Sequence, residues 1–144
     1  MQTAAPASPP EYGTSISLAL AKQVMQAAEA EALAHHWPMV IAIVDAAGHL
    51  QLFHRMDNAQ LGSVRIAQAK AETALKFRRP TKLFEDTVAA GGTGWRILAM
   101  DGMCPLEGGV PLFQDGKIVG AIGVSGMHSS QDAQVASAGA NVLK

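Results

Sequence analysis

The chain has 144 residues, of which 49% are apolar and 16% charged, and a formal net charge of −1 at pH 7. That is enough for one domain around one core, and the charge offers no general attraction to nucleic acid or an anionic membrane. A single cysteine, Cys104, excludes an intramolecular disulfide and any multi-cysteine zinc or iron–sulfur site within one chain, and no stretch is long and apolar enough to span a membrane.

Residues 1–14 lack the basic start and apolar core of a secretion signal, and their Ala, Pro and Ser content reads as a disordered tail. Residues 15–144 then form a single domain, with the cytoplasm as its expected location. Ser15 or Ser17 can cap a helix running to about His36, with Leu18, Ala21, Val24, Met25, Ala28, Ala32 and Leu33 forming its apolar stripe. Met39 to Asp45 is a continuous apolar run that suits a buried strand. A turn at Ala46-Ala47-Gly48-His49 leads into an alternating strand, Leu50 to Arg55, with Leu50, Leu52 and His54 on one face. A long helix spans about Leu61 to Phe77, stopped by Pro80, with Ala67, Lys70, Ala71 and Ala74 on a narrow face. Thr81 can cap a short helix to Ala90, and Gly91 to Gly94 form a flexible break. Arg78, Arg79 and Lys82 form a local basic cluster suited to a helix end. Trp95 to Met100 fits either helix or strand. A second hairpin covers about Val110 to Val124 around Gln114-Asp115-Gly116-Lys117, and Ser129 or Ser130 caps a last helix with Asp132 in its first turn. Two hairpins among helices imply an α+β fold with an antiparallel sheet. The low charge content and many Ala and Gly residues fit surface buried in a homo-oligomer.

Three ordered segments resemble signatures of the GlcG/HbpS-like family, which includes the C-terminal domain of PduO-type proteins. They are Val40 to Leu50 followed by Arg55-Met56-Asp57-Asn58-Ala59; Ser63 to Ala74 followed by Phe77 and Arg79-Pro80-Thr81; and Gly108-Gly109-Val110-Pro111 with Gly120 to Gly126 and Asp132. Together they cover about residues 15–143. The resemblance implies a profilin-like sandwich, with an antiparallel sheet of about five strands flanked by helices, assembled into homo-oligomers. It also implies haem binding in some members, linked in some of these to haem degradation or redox sensing; others sit among catabolic enzymes without assigned chemistry. The chain departs from the pattern at Met127-His128, where the family usually has a small residue, and shows no secretory extension.

Several residue types could carry chemistry. Arg55, at a strand end, can make a bidentate contact to a carboxylate or haem propionate, or pair with Asp57, Asp45 or a partner subunit. Lys70, amid alanines, is either a desolvated base or anion anchor, or a side chain snorkelling past a tight interface. Of the five histidines, His128 precedes a helix N-terminus and His54 neighbours Arg55, so these are the candidate functional histidines and, for the haem binding that the resemblance implies, the candidate axial ligands; His35 and His36 suit a helix C-terminus, and His49 a solvated turn. Gly108 and Gly109 can present amides to an oxyanion or form a tight turn. Ser125 lacks a nucleophile elbow and is expected to hydrogen-bond to a ligand or to the backbone. Glu107 is either a general base or a solvated strand-start residue, and Cys104 a small core residue.

Two functional readings follow. In the first, the protein binds haem or a related tetrapyrrole, with His54 or His128 on the iron and Arg55 or Lys70 on the propionates. In the second it is an isomerase, tautomerase or lyase. A carboxylated metabolite would then be held by Arg55, Lys70 and the Gly108-Gly109 amides while His128, Glu107 or Lys70 moves a proton. A structural oligomer without chemistry is a third option.

Overall fold

A computed structural model describes residues 8–143 and contains four main helices and four strands. In chain order they are α1 (Leu18–Ala34), β1 (Val40–Asp45), β2 (Leu50–Arg55), α2 (Ser63–Phe77), α3 (Lys82–Ala89), β3 (Gly109–Gln114), β4 (Lys117–Ser125) and α4 (Ser129–Ala140). The four strands pair antiparallel in the order β2-β1-β4-β3. The α+β class therefore stands, but the sheet has four strands rather than about five. Trp95 to Met100, the ambiguous segment, supplies no strand: residues Gly92–Ala99 wind as 3-10 turns.

Of the expected N-terminal tail, residues 1–7 lie outside the described residues. Residues beyond them pair with the sheet: Ile118 donates its N–H to the Glu11 carbonyl and accepts from Gly13 N–H, each at 2.8 Å, and Ile16 N–H reaches Val119. This contact continues the lane vacated by β1, whose pairing with β4 ends at Asp45↔Gly120. Tyr12 adds an anchor, donating its hydroxyl proton to the Leu75 carbonyl at 2.7 Å.

The unbroken apolar run of β1 reflects burial on both faces. Ile41 and Ile43 point into a core closed by α1 and α4, while Val40, Ala42 and Val44 point into one closed by α2. The α2 face is lined by Ala67, Ala71 and Ala74, and it lies so near the sheet that a Cβ on Gly123 would run into the Ala67 carbonyl and the Ala71 amide. Small residues on both elements thus set the helix-to-sheet distance.

Local signals act mostly where the sequence places them. Ser17 caps α1, its Oγ accepting from Leu20 N–H at 3.2 Å. In the β1–β2 turn, Asp45 Oδ1 accepts from the amides of Ala47 and His49, and Gly48 has φ 89°. The β3–β4 turn has positive φ at both Asp115 and Gly116, as a tight hairpin requires. Helix α2 ends at Arg78, which adopts the left-handed conformation and closes the last turn onto Ala74 before Pro80 is reached. Two capping expectations are corrected. Thr81 precedes α3 but its side chain does not cap it, because its hydroxyl accepts from Gly109 N–H at 2.9 Å. The cap residue of α4 is His128 rather than Ser129 or Ser130, and its amide donates to Gln131 Oε1 at 3.2 Å.

Candidate functional site

The expected site residues divide between two places. The first is the junction of α2, β3, β4 and the start of α4. Lys70 is carried by the alanine face of α2 directly over β4 and is 2% exposed. Its Nζ donates to the Val124 carbonyl and to Asp132 Oδ2, both at 2.9 Å. Asp132, also 2% exposed, accepts from Met127 N–H through its other oxygen. Burial pushes the Asp132 carboxyl above the ordinary range, while the Lys70 charge and the amides of Met127 and Gly126 pull it back. The side chain expected either as an anion anchor or base or as one passing a tight interface is thus already paired with a carboxylate.

Glycine is required beside it. Gly108 has φ 133°, and a Cβ there would stand 2.7 Å from both Lys70 Nζ and the Val124 carbonyl. At Gly109 a Cβ would meet the Lys70 carbonyl, and the Gly109 amide is spent on Thr81. That amide is not available to an oxyanion, which corrects the expectation for this residue. Ser125 is buried and its hydroxyl meets Ser63 Oγ at 2.9 Å, a side-chain partner rather than the ligand or backbone group expected of it. Glu107 is half-buried and lines a shallow cavity of about 200 Å³ with Pro80, Lys82, Gly108, Val110 and Ser137. Lys82 is paired with Asp86 at 3.1 Å. Cys104 is buried and its thiol is pushed up by that burial, against the pull of the Lys70 charge, so it carries little thiolate. His128 is exposed and lines neither this cavity nor the grooves described next.

The second place is the opposite edge of the sheet, where α1 crosses β2. His54 lines a groove of about 380 Å³ with Lys22, Met25, Gln26, Glu29 and Leu52. Its Nδ1 lies 3.2 Å from Glu29 Oε1. Glu29 also borders a second groove of about 350 Å³, lined by Leu33, Arg55, Met56 and Asp57. In the order β2-β1-β4-β3 these residues stand about 14 Å of strand spacing from the β3 glycine and about 10 Å from Ser125 on β4, with Arg55 and Ser125 pairing with opposite sides of Val40. His54 and Arg55 are thus brought near each other, Lys70, Gly108, Gly109 and Ser125 form another group, and the two sets are not joined. Arg55 is exposed, and no ion pair is made by its guanidinium among the described residues.

Sequence reasoning missed Asp132 as the partner of Lys70, and it missed Lys22, Gln26 and Glu29 altogether. A signal for the latter was present. Lys22, Met25, Gln26 and Glu29 fall at the helical spacing that places them on one face of α1, as Leu52 and His54 share one face of β2.

Among the described residues no helix is long and apolar enough to cross a membrane, and no cluster of three or more His, Cys, Asp or Glu side chains could hold a metal ion. A family model described as haem degrading protein HbpS-like matches residues 16–141. Protein GlcG of Escherichia coli K12 is 42% identical over 110 residues, which span 76% of this chain and 81% of that protein. The corrinoid adenosyltransferase PduO of Salmonella typhimurium is 33% identical over 116 residues, but these span only 34% of its length. Among solved structures, a PduOC:heme complex superposes with TM-score 0.82 at 28% identity, covering 91% of this chain and 96% of that one. HbpS superposes with TM-score 0.81 at 31% identity, over 99% of both chains. With nearly the whole domain matched, this chain belongs to the HbpS-like family.

Proposed function

We propose that the protein binds haem or a related tetrapyrrole on the α1–β2 side of the sheet, with His54 as the iron ligand. The observation that carries this is the likeness, over 91% of the chain and at 28% identity, to a domain solved as a heme complex. The local chemistry fits. A haem needs a nitrogen donor, apolar surface for the macrocycle and cations for its propionates. His54 supplies the donor, Met25 and Leu52 the apolar wall, and Lys22 a cation within the same groove. Arg55 offers a second cation in the adjoining groove. Ligand pockets commonly have volumes of about 300–1,000 Å³, and the two grooves meeting at Glu29 fall in that range at about 380 and 350 Å³. Bound haem would supply a redox-active iron; the chain's residues bind, orient and partly shield it.

His128 has less to recommend it, since it lines none of the grooves described above, and Lys70 is committed to Asp132 rather than to a propionate. The acid–base enzyme alternative has no supporting observation, since its three proton carriers are an ion-paired lysine, a half-buried carboxylate and an exposed cap residue. Homo-oligomer formation is part of the proposal. Leu83, Trp95, Leu98, Met100 and Leu106 expose apolar surface around α3 and the turns that follow it, which a second copy would cover.

The test is a hemin titration of the purified protein followed by absorbance, with His54→Ala and His128→Ala in parallel. A Soret band saturating near one equivalent in the wild type and in His128→Ala, but altered in His54→Ala, is expected. A featureless titration of the wild type removes the proposal.

A further inference from the structure

We infer that Glu29 is a positioning residue for His54 and sets the electron-donating strength of its imidazole toward a bound iron; this rests on the tetrapyrrole reading of the same groove. Three observations carry it. Glu29 Oε1 is 3.2 Å from His54 Nδ1, and each residue comes from a different element, α1 and β2. Both side chains line the groove, and Glu29 alone borders the two adjoining grooves. His54 makes no other side-chain hydrogen bond or ion pair among the described residues, so its orientation depends on this contact.

The chemical consequence follows from the two ring nitrogens. A neutral imidazole that donates from Nδ1–H to a carboxylate carries its free lone pair on Nε2, which is thereby the metal-ligating atom. A carboxylate partner also draws the ring toward imidazolate character and strengthens that lone pair, as it does in metal sites where a ligating histidine is backed by an acid. A stronger axial donor favours the ferric over the ferrous state, so the pair holds the reduction potential down. A tether for α1 would not need these groups. The two side chains are 46% and 33% exposed, where such a contact adds little to stability, and α1 is already held by Val24, Met25 and Ala28, all buried.

The variants Glu29→Gln and Glu29→Leu separate the roles. Glutamine keeps a hydrogen-bond acceptor at the same reach without the charge; leucine removes both. Each hemin-loaded protein is measured by absorbance and by spectroelectrochemical titration, beside His54→Ala. The expected result is a retained His-ligated spectrum in Glu29→Gln with a midpoint potential shifted positive of wild type. A further positive shift, with weakened or mixed ligation, is expected in Glu29→Leu. If His54→Ala loses the wild-type spectrum while both Glu29 variants keep the wild-type potential, the positioning role is overturned and haem ligation by His54 survives. A wild-type spectrum in His54→Ala overturns ligation by His54 itself, and with it the inference.

Discussion

Removing either member of the Lys70–Asp132 pair should destabilise the protein far more than removing both. The attraction between unit charges 2.9 Å apart is about 6 kcal/mol at an effective dielectric constant near 20. Against it stands the cost of withdrawing two ions from water, several kcal/mol each for side chains 2% exposed. The terms nearly cancel, and the raised Asp132 carboxyl agrees that burial outweighs attraction there. The net value of the pair is therefore small, but an orphaned partner is expensive. Lys70→Met leaves a buried carboxylate and Asp132→Leu a buried ammonium, each costing about 3–5 kcal/mol. Lys70→Met also strips the Val124 carbonyl of its donor, about 1–3 kcal/mol more, but that loss recurs in the double variant and cancels from the cycle. Urea denaturation of the four proteins should give a coupling energy of about 3 kcal/mol or more, above what independent sites show. Single-variant losses that add to the double within about 0.5 kcal/mol would refute the argument, because the two charges would then not depend on each other.

Three further outcomes are expected. Because Asp132 is raised by burial, the native chain keeps a proton at pH values where the unfolded chain has released it. Its contribution to stability is then greatest below the ordinary value of 3.8 and declines as pH rises through the raised one. The stability of wild type minus that of Asp132→Asn, followed from acid to neutral pH, should fall across that window; a difference that rises would reverse the sign assigned to burial. Gly123→Ala should cost about 1–3 kcal/mol in denaturant melts, since the new methyl meets the α2 backbone at Ala67 and Ala71; a neutral result would mean that α2 can lift away freely. In light scattering, the wild type should have a mass that is a multiple of 15.0 kDa, which Leu98→Glu reduces. A wild type at the monomer mass would remove the oligomer from the proposal.

The sequence carried the fold because its signals were local. The two turns with Gly48 and Asp115-Gly116 require positive φ, and they fix two hairpins. The alanine stripe of α2 could only pack closely, and the glycine opposite it, Gly123, is the complementary half of the same contact. What was not legible was pairing between distant segments. Nothing near Lys70 names Asp132, 62 residues away, as its partner. Thr81 looked like a helix cap because its hydroxyl sits at the start of α3; a β-strand amide 28 residues on competes for that hydroxyl and wins. The pairing of residues 11–13 with the sheet was hidden for the same reason, as Glu11 and Gly13 find their partner in Ile118, more than a hundred residues on.

The division of the candidate residues also says where ligand chemistry can vary in this fold. The glycine-rich segments are where backbones and a buried ion pair touch. Gly108 admits Lys70 Nζ, Gly109 admits the Lys70 carbonyl, and Gly123 admits α2. A side chain introduced at any of these breaks packing on both sides, so the region is constrained by folding before any ligand is considered. The α1–β2 edge has the opposite character. His54, Arg55 and Glu29 lie at an open sheet edge, partly exposed, with the β1–β2 ladder and the buried face of α1 holding the backbone regardless of what these side chains are. Binding specificity can therefore be set at this edge by a few side chains without a penalty in the core. A ligand role for Lys70 would need Asp132 to release it, whereas one for His54 needs only its free Nε2, and that difference in cost is the physical ground for proposing a ligand at the edge rather than at the glycines.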